Sequence, residues 1–272
     1  IVAADIDNGS TDNCGIQSIS ASATAFTCAN LGANTVTLTV TDLSGNSATC
    51  DAIVTVQDVI NPVAACTPIT IQLNATGTYT LTAGNITTMS AGSTDNCSIV
   101  TRTVTPNTFN CTNIAIPVNV TLTVTDAAGN TDSCTTTVTV QDNVLPTAIC
   151  KNITVQLDGT GNATITAANI DNGSNDACGI LSLVASKTAF NCADLGANTV
   201  TLTVTDNNGN VSTCNATVTI ADTVKPAYTF CPTNKTVAAD ATLCTYTLVD
   251  NSWNATATDN CAVSTLTYNL TG

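Results

Sequence analysis

Two residue types in this 272-residue chain could do chemistry by their spacing, aspartate and cysteine. All 19 acidic residues are Asp, and they face four Lys and one Arg, for a net charge of −14. The Asp residues recur beside Asn and Gly in short runs such as Asp171-Asn172-Gly173 and Asp206-Asn207-Asn208-Gly209. Carboxylates and amides grouped in this way are the hard oxygen donors that calcium prefers, six to eight at a time. The same residues also close turns by bonding nearby backbone, which is the plainer explanation for Asp126 and Asp206. The 14 cysteines are never closer than 13 residues, so the close pairs of a thiolate metal site are missing and disulfides in an oxidising compartment are expected. There is no His, which excludes Ser-His-Asp and Cys-His catalysis. Five cations cannot track a phosphate backbone, so no nucleic-acid partner is expected. No apolar run is long enough to span a membrane.

The elements that must position these residues are written as a repeat. Val36 to Asn46 returns as Val120 to Asn130 and as Val200 to Asn210, and the shared Asp steps from 42 to 126 to 206. The cysteines keep the same beat in four series, which begin at Cys14, Cys28, Cys50 and Cys66. Pro62, Pro146 and Pro226 close short linkers that cannot continue a central strand. The register predicts a partial repeat over 1–60, whole repeats over 61–144 and 145–224, and a partial repeat over 225–272, hence a segment of a longer protein. Within a repeat the period is two. Val200, Leu202 and Val204 alternate with Thr, and Cys214, Ala216, Val218 and Ile220 share a face on the next strand. Asp206-Asn207-Asn208-Gly209-Asn210 reads as the turn between them, with Gly209 free to adopt positive φ. Six or seven short strands in about 80 residues predict an all-β chain of tandem immunoglobulin-like antiparallel sandwiches, stapled by disulfides and set end to end. Phe26, Phe109 and Phe190 recur at one repeat position and are expected in the core.

The Thr-Asp-x-x-Gly-Asn run, the Cys in the following strand, the Asp-Asn-Cys before the third strand and Phe230-Cys231-Pro232 resemble the HYR family of immunoglobulin-like repeats. The Thr-rich, Glu-free style resembles tandem repeats of giant Bacteroidetes surface proteins, some of them gliding-type adhesins. The resemblance implies extracellular structural or adhesive modules and supplies no catalytic residues. The Phe-x-Cys elements Phe109-Asn110-Cys111 and Phe190-Asn191-Cys192 depart from the HYR pattern.

Four cysteines per repeat allow three connectivities. The first and last strands run side by side in this fold, which favours Cys66–Cys134 and Cys150–Cys214. The remaining cysteines are then expected to close short loops: Cys14–Cys28, Cys97–Cys111, Cys178–Cys192 and, in the last repeat, Cys244–Cys261. Cys50 and Cys231 are left without partners in this sequence.

Calcium is expected where the linker, the second-to-third-strand loop and the final hairpin meet. For the third repeat the ligands would be Asp142, Asn143, Asp171, Asn172, Asp176 and Asp206. The preceding set is Asp58, Asn61, Asp95 and Asp126, and the following one is Asp222, Asp250 and Asp259. Other chemistry is thin. Lys151 and Lys187 lack Lys counterparts in the second repeat, as intramolecular isopeptide bonds would require. Thr223, in Asp222-Thr223-Val224, resembles a Bacteroidetes O-glycosylation site. The sequence therefore reads as a non-enzymatic stalk segment of a secreted surface adhesin. Its partners would be neighbouring repeats of the same chain, with glycans or other cells engaged elsewhere. The accessory stalk of a secreted hydrolase and a glycan-binding array are the alternatives.

Overall fold

The computed structural model describes residues 1–231, 233, 234, 236, 238 and 255–267. The chain divides into two compact units, Ile1–Gln141 and Asp142–Gly272.

The first unit opens with an antiparallel three-stranded sheet, β1 (Ile16–Ala21), β2 (Gly32–Asp42) and β3 (Ser47–Val56), in the order β1-β2-β3. A whole repeat follows: β4 (Ile69–Gln72), β5 (Thr78–Thr80), α1 (Ala83–Met89), β6 (Ile99–Thr105), β7 (Thr108–Asn110), β8 (Val118–Asp126) and β9 (Thr131–Gln141). One sheet has the order β4-β9-β8-β6 and the other is the pair β5-β7.

The second unit repeats this plan. It contains β10 (Ile153–Gln156), β11 (Asn162–Thr164), α2 (Ala167–Ile170), β12 (Ile180–Ala185), β13 (Ala189–Asn191), β14 (Gly196–Asp206) and β15 (Val211–Ala221). The sheets are β10-β15-β14-β12 and β11-β13. Beyond them, β16 (Ala227–Phe230) pairs with β17 (Thr256–Thr258).

The Thr/apolar alternation explains the core. Val200, Leu202, Val204 and Val218 are fully buried, with Ala216, Ile220 and Phe190 beside them, while the intervening Thr side chains face out. Phe109 and Phe190 are both core residues. Burying one such side chain contributes roughly 1.5–3 kcal/mol.

The structure departs from the purely antiparallel expectation at one edge. The first strand of each whole repeat lies parallel to the last: Ile69 faces Val138 on β9, and Ile153 faces Val218 on β15. The chain crosses over the sandwich between these strands, so they run in the same direction. The short helices were also not expected. At α1 the Thr82 hydroxyl accepts from the Asn85 amide (3.2 Å) while Asn85 Oδ1 accepts from the Thr82 amide (2.9 Å). At α2 Asn169 Oδ1 accepts from the Thr166 amide (2.7 Å). The signal is a Thr-x-x-Asn box, a variant of the usual Ser/Thr-x-x-Glu, and it opens helices that bury Met89 and Ile170.

Candidate cation-binding joints

Strand geometry corrects the expected short disulfides. β2 starts at Gly32, opposite Val56, and ends at Asp42, opposite Ile16 of β1. Cys14 precedes β1 at the hairpin end, and Cys28 precedes β2 at the other end. Eleven residues at about 3.3 Å each put them far beyond the roughly 7 Å that a disulfide tolerates. Cys28 bonds instead to Cys97 of the following repeat, with Cα atoms 5.2 Å apart. Cys192 likewise bonds to Cys261, at 5.3 Å. Cys97–Cys111, Cys178–Cys192, Cys14–Cys28 and Cys244–Cys261 are thereby excluded. Cys111 and Cys178 are themselves disulfide-bonded, Cys14 is a free exposed thiol, and Cys244 lies outside the described residues. Cys66–Cys134 and Cys150–Cys214 tie first to last strand within a repeat, with Cα separations of 6.1 and 5.8 Å. Cys50 and Cys231 are free and exposed.

The repeat-to-repeat bridges sit inside a recurring constellation. In Asp95-Asn96-Cys97 one Asp oxygen accepts from the Cys97 amide (2.7 Å) and Asn96 donates to Oδ1 of the linker residue Asp58 (3.2 Å). In Asp259-Asn260-Cys261 the same bonds form: Asp259 accepts from the Cys261 amide (3.0 Å) and Asn260 donates to Asp222 Oδ1 (3.1 Å). Asn260 also donates to the Asp158 carbonyl (3.0 Å), over the turn that holds Gly161. A Cβ on Gly161 would lie 2.6 Å from the Asn260 carbonyl oxygen and 2.8 Å from Cys192 Sγ.

The Thr-Asp-x-x-Gly-Asn motif has two tasks. Its Asp organises the hairpin: Asp126 accepts from the Ala128 and Asn130 amides and from the Asn130 side chain, and Asp206 does the same with Asn208 and Asn210. Gly129 and Gly209 supply positive φ, at 93° and 90°. Burial pushes the Asp126 carboxyl up, but the donors from Asn130, Ala128 and Gly129 outweigh it and hold it below its ordinary value. The closing Asn latches the linker. Asn130 Nδ2 donates to the carbonyls of Asp58 (3.0 Å) and Ile60 (3.3 Å), and Asn210 Nδ2 to those of Asp142 and Val144 (3.1 Å each). Asn130 and Asn210 were missed as joint residues, although their recurrence at the end of each motif was a visible signal.

These bonds bring carboxylates together. Oxygens of Asp58, Asp95 and Asp126 lie within 4.8 Å of one another, and so do ligand atoms of Asp142, Asp176 and Cys178. The Cys178 sulfur is in a disulfide, so no thiolate is on offer and the donors that remain are oxygen. Among the described residues six buried side-chain atoms lack a hydrogen-bond partner: Asp58 Oδ2, Asp95 Oδ1, Asp142 Oδ2, Asn208 Oδ1, Asp259 Oδ2 and Asn260 Oδ1. All are acceptors, and all lie in the linkers, loops and hairpin that sequence analysis assigned to the joints. Asp142 is only 7% exposed. Buried acceptors without donors are costly, and a hard divalent cation satisfies several at once. The only ion pair among the described residues, Lys187–Asp194, lies outside these clusters.

Other expected ligands are elsewhere. Asp171 closes its own turn, accepting from the Gly173 and Ser174 amides. Burial raises its carboxyl, but Ser174, Gly173 and the Lys151 charge more than offset this and lower it. Asn61, Asn143 and Asn172 are exposed. Asp206 makes the same hairpin bonds as Asp126, but its oxygens are not grouped with those of Asp142 and Asp176 as Asp126 is with Asp58 and Asp95. Asp222 Oδ1 accepts from the Val224 amide (3.0 Å) and from Asn260, Thr223 is exposed between them, and Asp250 lies outside the described residues.

No family model and no curated protein matches the chain. Among solved structures it is similar to an endo-fucoidan hydrolase of glycoside hydrolase family 107, at 15% identity and a TM-score of 0.24, covering 78% of this chain and 40% of that one. It is similar to the protocadherin GammaB4 extracellular domain, at 12% identity and TM-score 0.30, covering 74% and 39%. It is also similar to titin domains I67–I69, at 12% and TM-score 0.25, covering 70% and 75%. The chain spans about two fifths of the length of the first two.

Proposed function

We propose that this chain is a structural segment of a secreted cell-surface adhesin, spacing and displaying an adhesive region, with no catalysis of its own. The observation that carries the reading is the pair of disulfides joining one repeat to the next, Cys28–Cys97 and Cys192–Cys261. A covalent tie between neighbouring repeats limits how far an array extends under tension, which suits a mechanical role. Disulfides at this density point to an extracellular location. Among the described residues no helix is long and apolar enough to cross a membrane. HYR-like repeats of Bacteroidetes adhesins fit this role, with glycans or other cells as partners of regions beyond these repeats and Thr223 as an exposed glycan attachment point.

Calcium is the second lock in this reading. Asp58, Asp95 and Asp126 would hold one ion, and Asp142 and Asp176, with Asn208 supplying an amide oxygen, another. The ion would replace carboxylate repulsion with attraction and tie the linker to the loop of the repeat it enters. Single-molecule pulling of the whole chain tests the mechanical role. The expected result is a short extension when oxidised and a much longer one after reduction. Equal extension in both states counts against it. The accessory-stalk and glycan-array alternatives predict hydrolysis in the full-length protein and glycan retention by this chain, respectively.

A further inference from the structure

In the third repeat the loop that carries Asp176 meets the hairpin through one pair of residues, Gly179 and Asn207. The Asn207 amide donates to the Gly179 carbonyl (3.1 Å), and Asn207 Nδ2 donates to the Cys178 carbonyl (2.8 Å). Within the loop, the Cys178 amide donates to Asp176 Oδ1 (2.7 Å) and the Gly179 amide to the Asp176 carbonyl (3.3 Å). Asn207 therefore grips the two residues whose amides aim Asp176. Gly179 has a φ of 99°, and a Cβ on it would lie 2.7 Å from Asn207 Nδ2, so the glycine and the clamp go together.

The sister repeats change the pair. Gly15 and Leu43 keep the main-chain half of the clamp, with the Leu43 amide donating to the Gly15 carbonyl (3.2 Å), but Leu43 has no side-chain donor. In the second repeat the positions hold Ser98 and Ala127. Ala127 has no side-chain donor either, and Ser98 sits at a φ of 134° without the freedom of glycine.

The loop that Asn207 grips forms one wall of a cation site. Asp142 is only 7% exposed, and its Oδ2 is buried without a partner. A carboxylate oxygen of Asp142 lies within 4.8 Å of one of Asp176. The hairpin holds the linker through Asn210 and the loop through Asn207. Two carboxylates that repel are thus fixed in place before an ion arrives. Calcium affinity depends on such rigidity as well as on ligand charge, and groups that orient the ligands tune it.

We propose that Asn207 is the positioning residue of the Asp142–Asp176 cation site, and that the Gly179–Asn207 pair preorganises this site as Ser98–Ala127 does not preorganise the site of Asp58, Asp95 and Asp126. The inference rests on the calcium reading above. Asn207 acts through Asp176 and is not itself a ligand. The two sites then reach their affinities by different routes, one by rigidity and the other by a third carboxylate.

Calorimetric calcium titration of the oxidised full chain tests this, with Asp142→Asn and Asp95→Asn assigning the two sites. Asn207→Ala should weaken the Asp142 site roughly tenfold and leave the Asp95 site unchanged. Asn207→Leu, which copies the opening repeat, should do the same, because the side-chain donor is lost while the main-chain bond stays. Ser98→Gly combined with Ala127→Asn should tighten the Asp95 site. Exchange of the Cys178 and Gly179 amides, measured in chelator, should quicken in Asn207→Ala, a readout that needs no ion. Unchanged exchange, unchanged affinity at the Asp142 site, or an equal loss at both sites overturns the proposal. A paired variant that binds no tighter overturns the contrast between the sites. Normal calcium binding by the unsubstituted chain beside an unaffected Asn207→Ala contradicts this inference alone, whereas no binding by the unsubstituted chain contradicts the calcium reading and this inference with it.

Discussion

β2 and β14 have the same eleven residues, Gly-Ala-Asn-Thr-Val-Thr-Leu-Thr-Val-Thr-Asp, in two different settings. The local structure is the same. Both strands pair with the next over ten positions, and Asp42 binds Ser44 and Asn46 as Asp206 binds Asn208 and Asn210. What differs is everything beyond the hairpin. Val204 and Asp206 are completely buried, whereas Val40 and Asp42 are half-exposed. Phe190 is a strand residue in the core, and its counterpart Phe26 is half-exposed and outside any strand. Asn210 holds the linker carbonyls of Asp142 and Val144, while Asn46 bonds within its own turn to Asp42. The hairpin is therefore a local product of its sequence. The sandwich and the joint come from the strands and linker that meet it.

The largest consequence is in the core. Phe190→Ala should cost roughly 3–5 kcal/mol, and Phe26→Ala much less, because only the first leaves a cavity in a closed sandwich. Amide exchange resolved by sheet would separate the two, and equal losses would break the comparison. The latch comes next. Asn210→Ala strands two linker carbonyls and should cost about 1–3 kcal/mol, against little for Asn46→Ala. Comparable effects at both positions would mean that the latch is only turn chemistry.

A third contrast separates backbone strain from docking. Gly161→Ala and Gly209→Ala both place a side chain at positive φ, with φ of 77° and 90°, at a cost of about 1–2 kcal/mol each. Only at Gly161 does the new Cβ meet Asn260, so only Gly161→Ala should hasten reduction of Cys192–Cys261. Equal reduction rates in the two variants would remove Gly161 from the joint.

The smallest effect is acid sensitivity of the turns. The donors of Asn46 and Ser44 hold the Asp42 carboxyl low, against a smaller opposing push from desolvation, and those of Thr160 and Asn162 do so at Asp158. A carboxyl held lower in the folded than in the unfolded chain adds stability at neutral pH and loses it as pH falls through the folded value. Melting should therefore drop below about pH 4, and Asp158→Asn should flatten that drop. An unchanged acid limb in the variant would contradict it.

Much of this was legible in the sequence, for reasons that can be named. The strands follow from period-two alternation, and the Asp58, Asp95 and Asp126 set follows from placing linker, loop and hairpin at one end. Asp171 misled because an Asp beside Asn-Gly serves its own turn as readily as a shared site. The short disulfides fail because Cys14 and Cys28 lie at opposite ends of the eleven-residue β2, which their nearness in sequence hides. The joint role of Asn130 and Asn210 was hidden because a turn motif explains the Asn without any reference to a linker.

The central claim is that the joints, more than the sandwiches, are specialised, and that their unpartnered buried oxygens hold calcium. Calorimetric titration of the oxidised full chain with calcium, after chelation, tests it most directly. Binding that raises the melting temperature and weakens in Asp142→Asn and Asp95→Asn is the predicted result. No heat of binding and no shift in melting, with no metal found by elemental analysis before chelation, would contradict it.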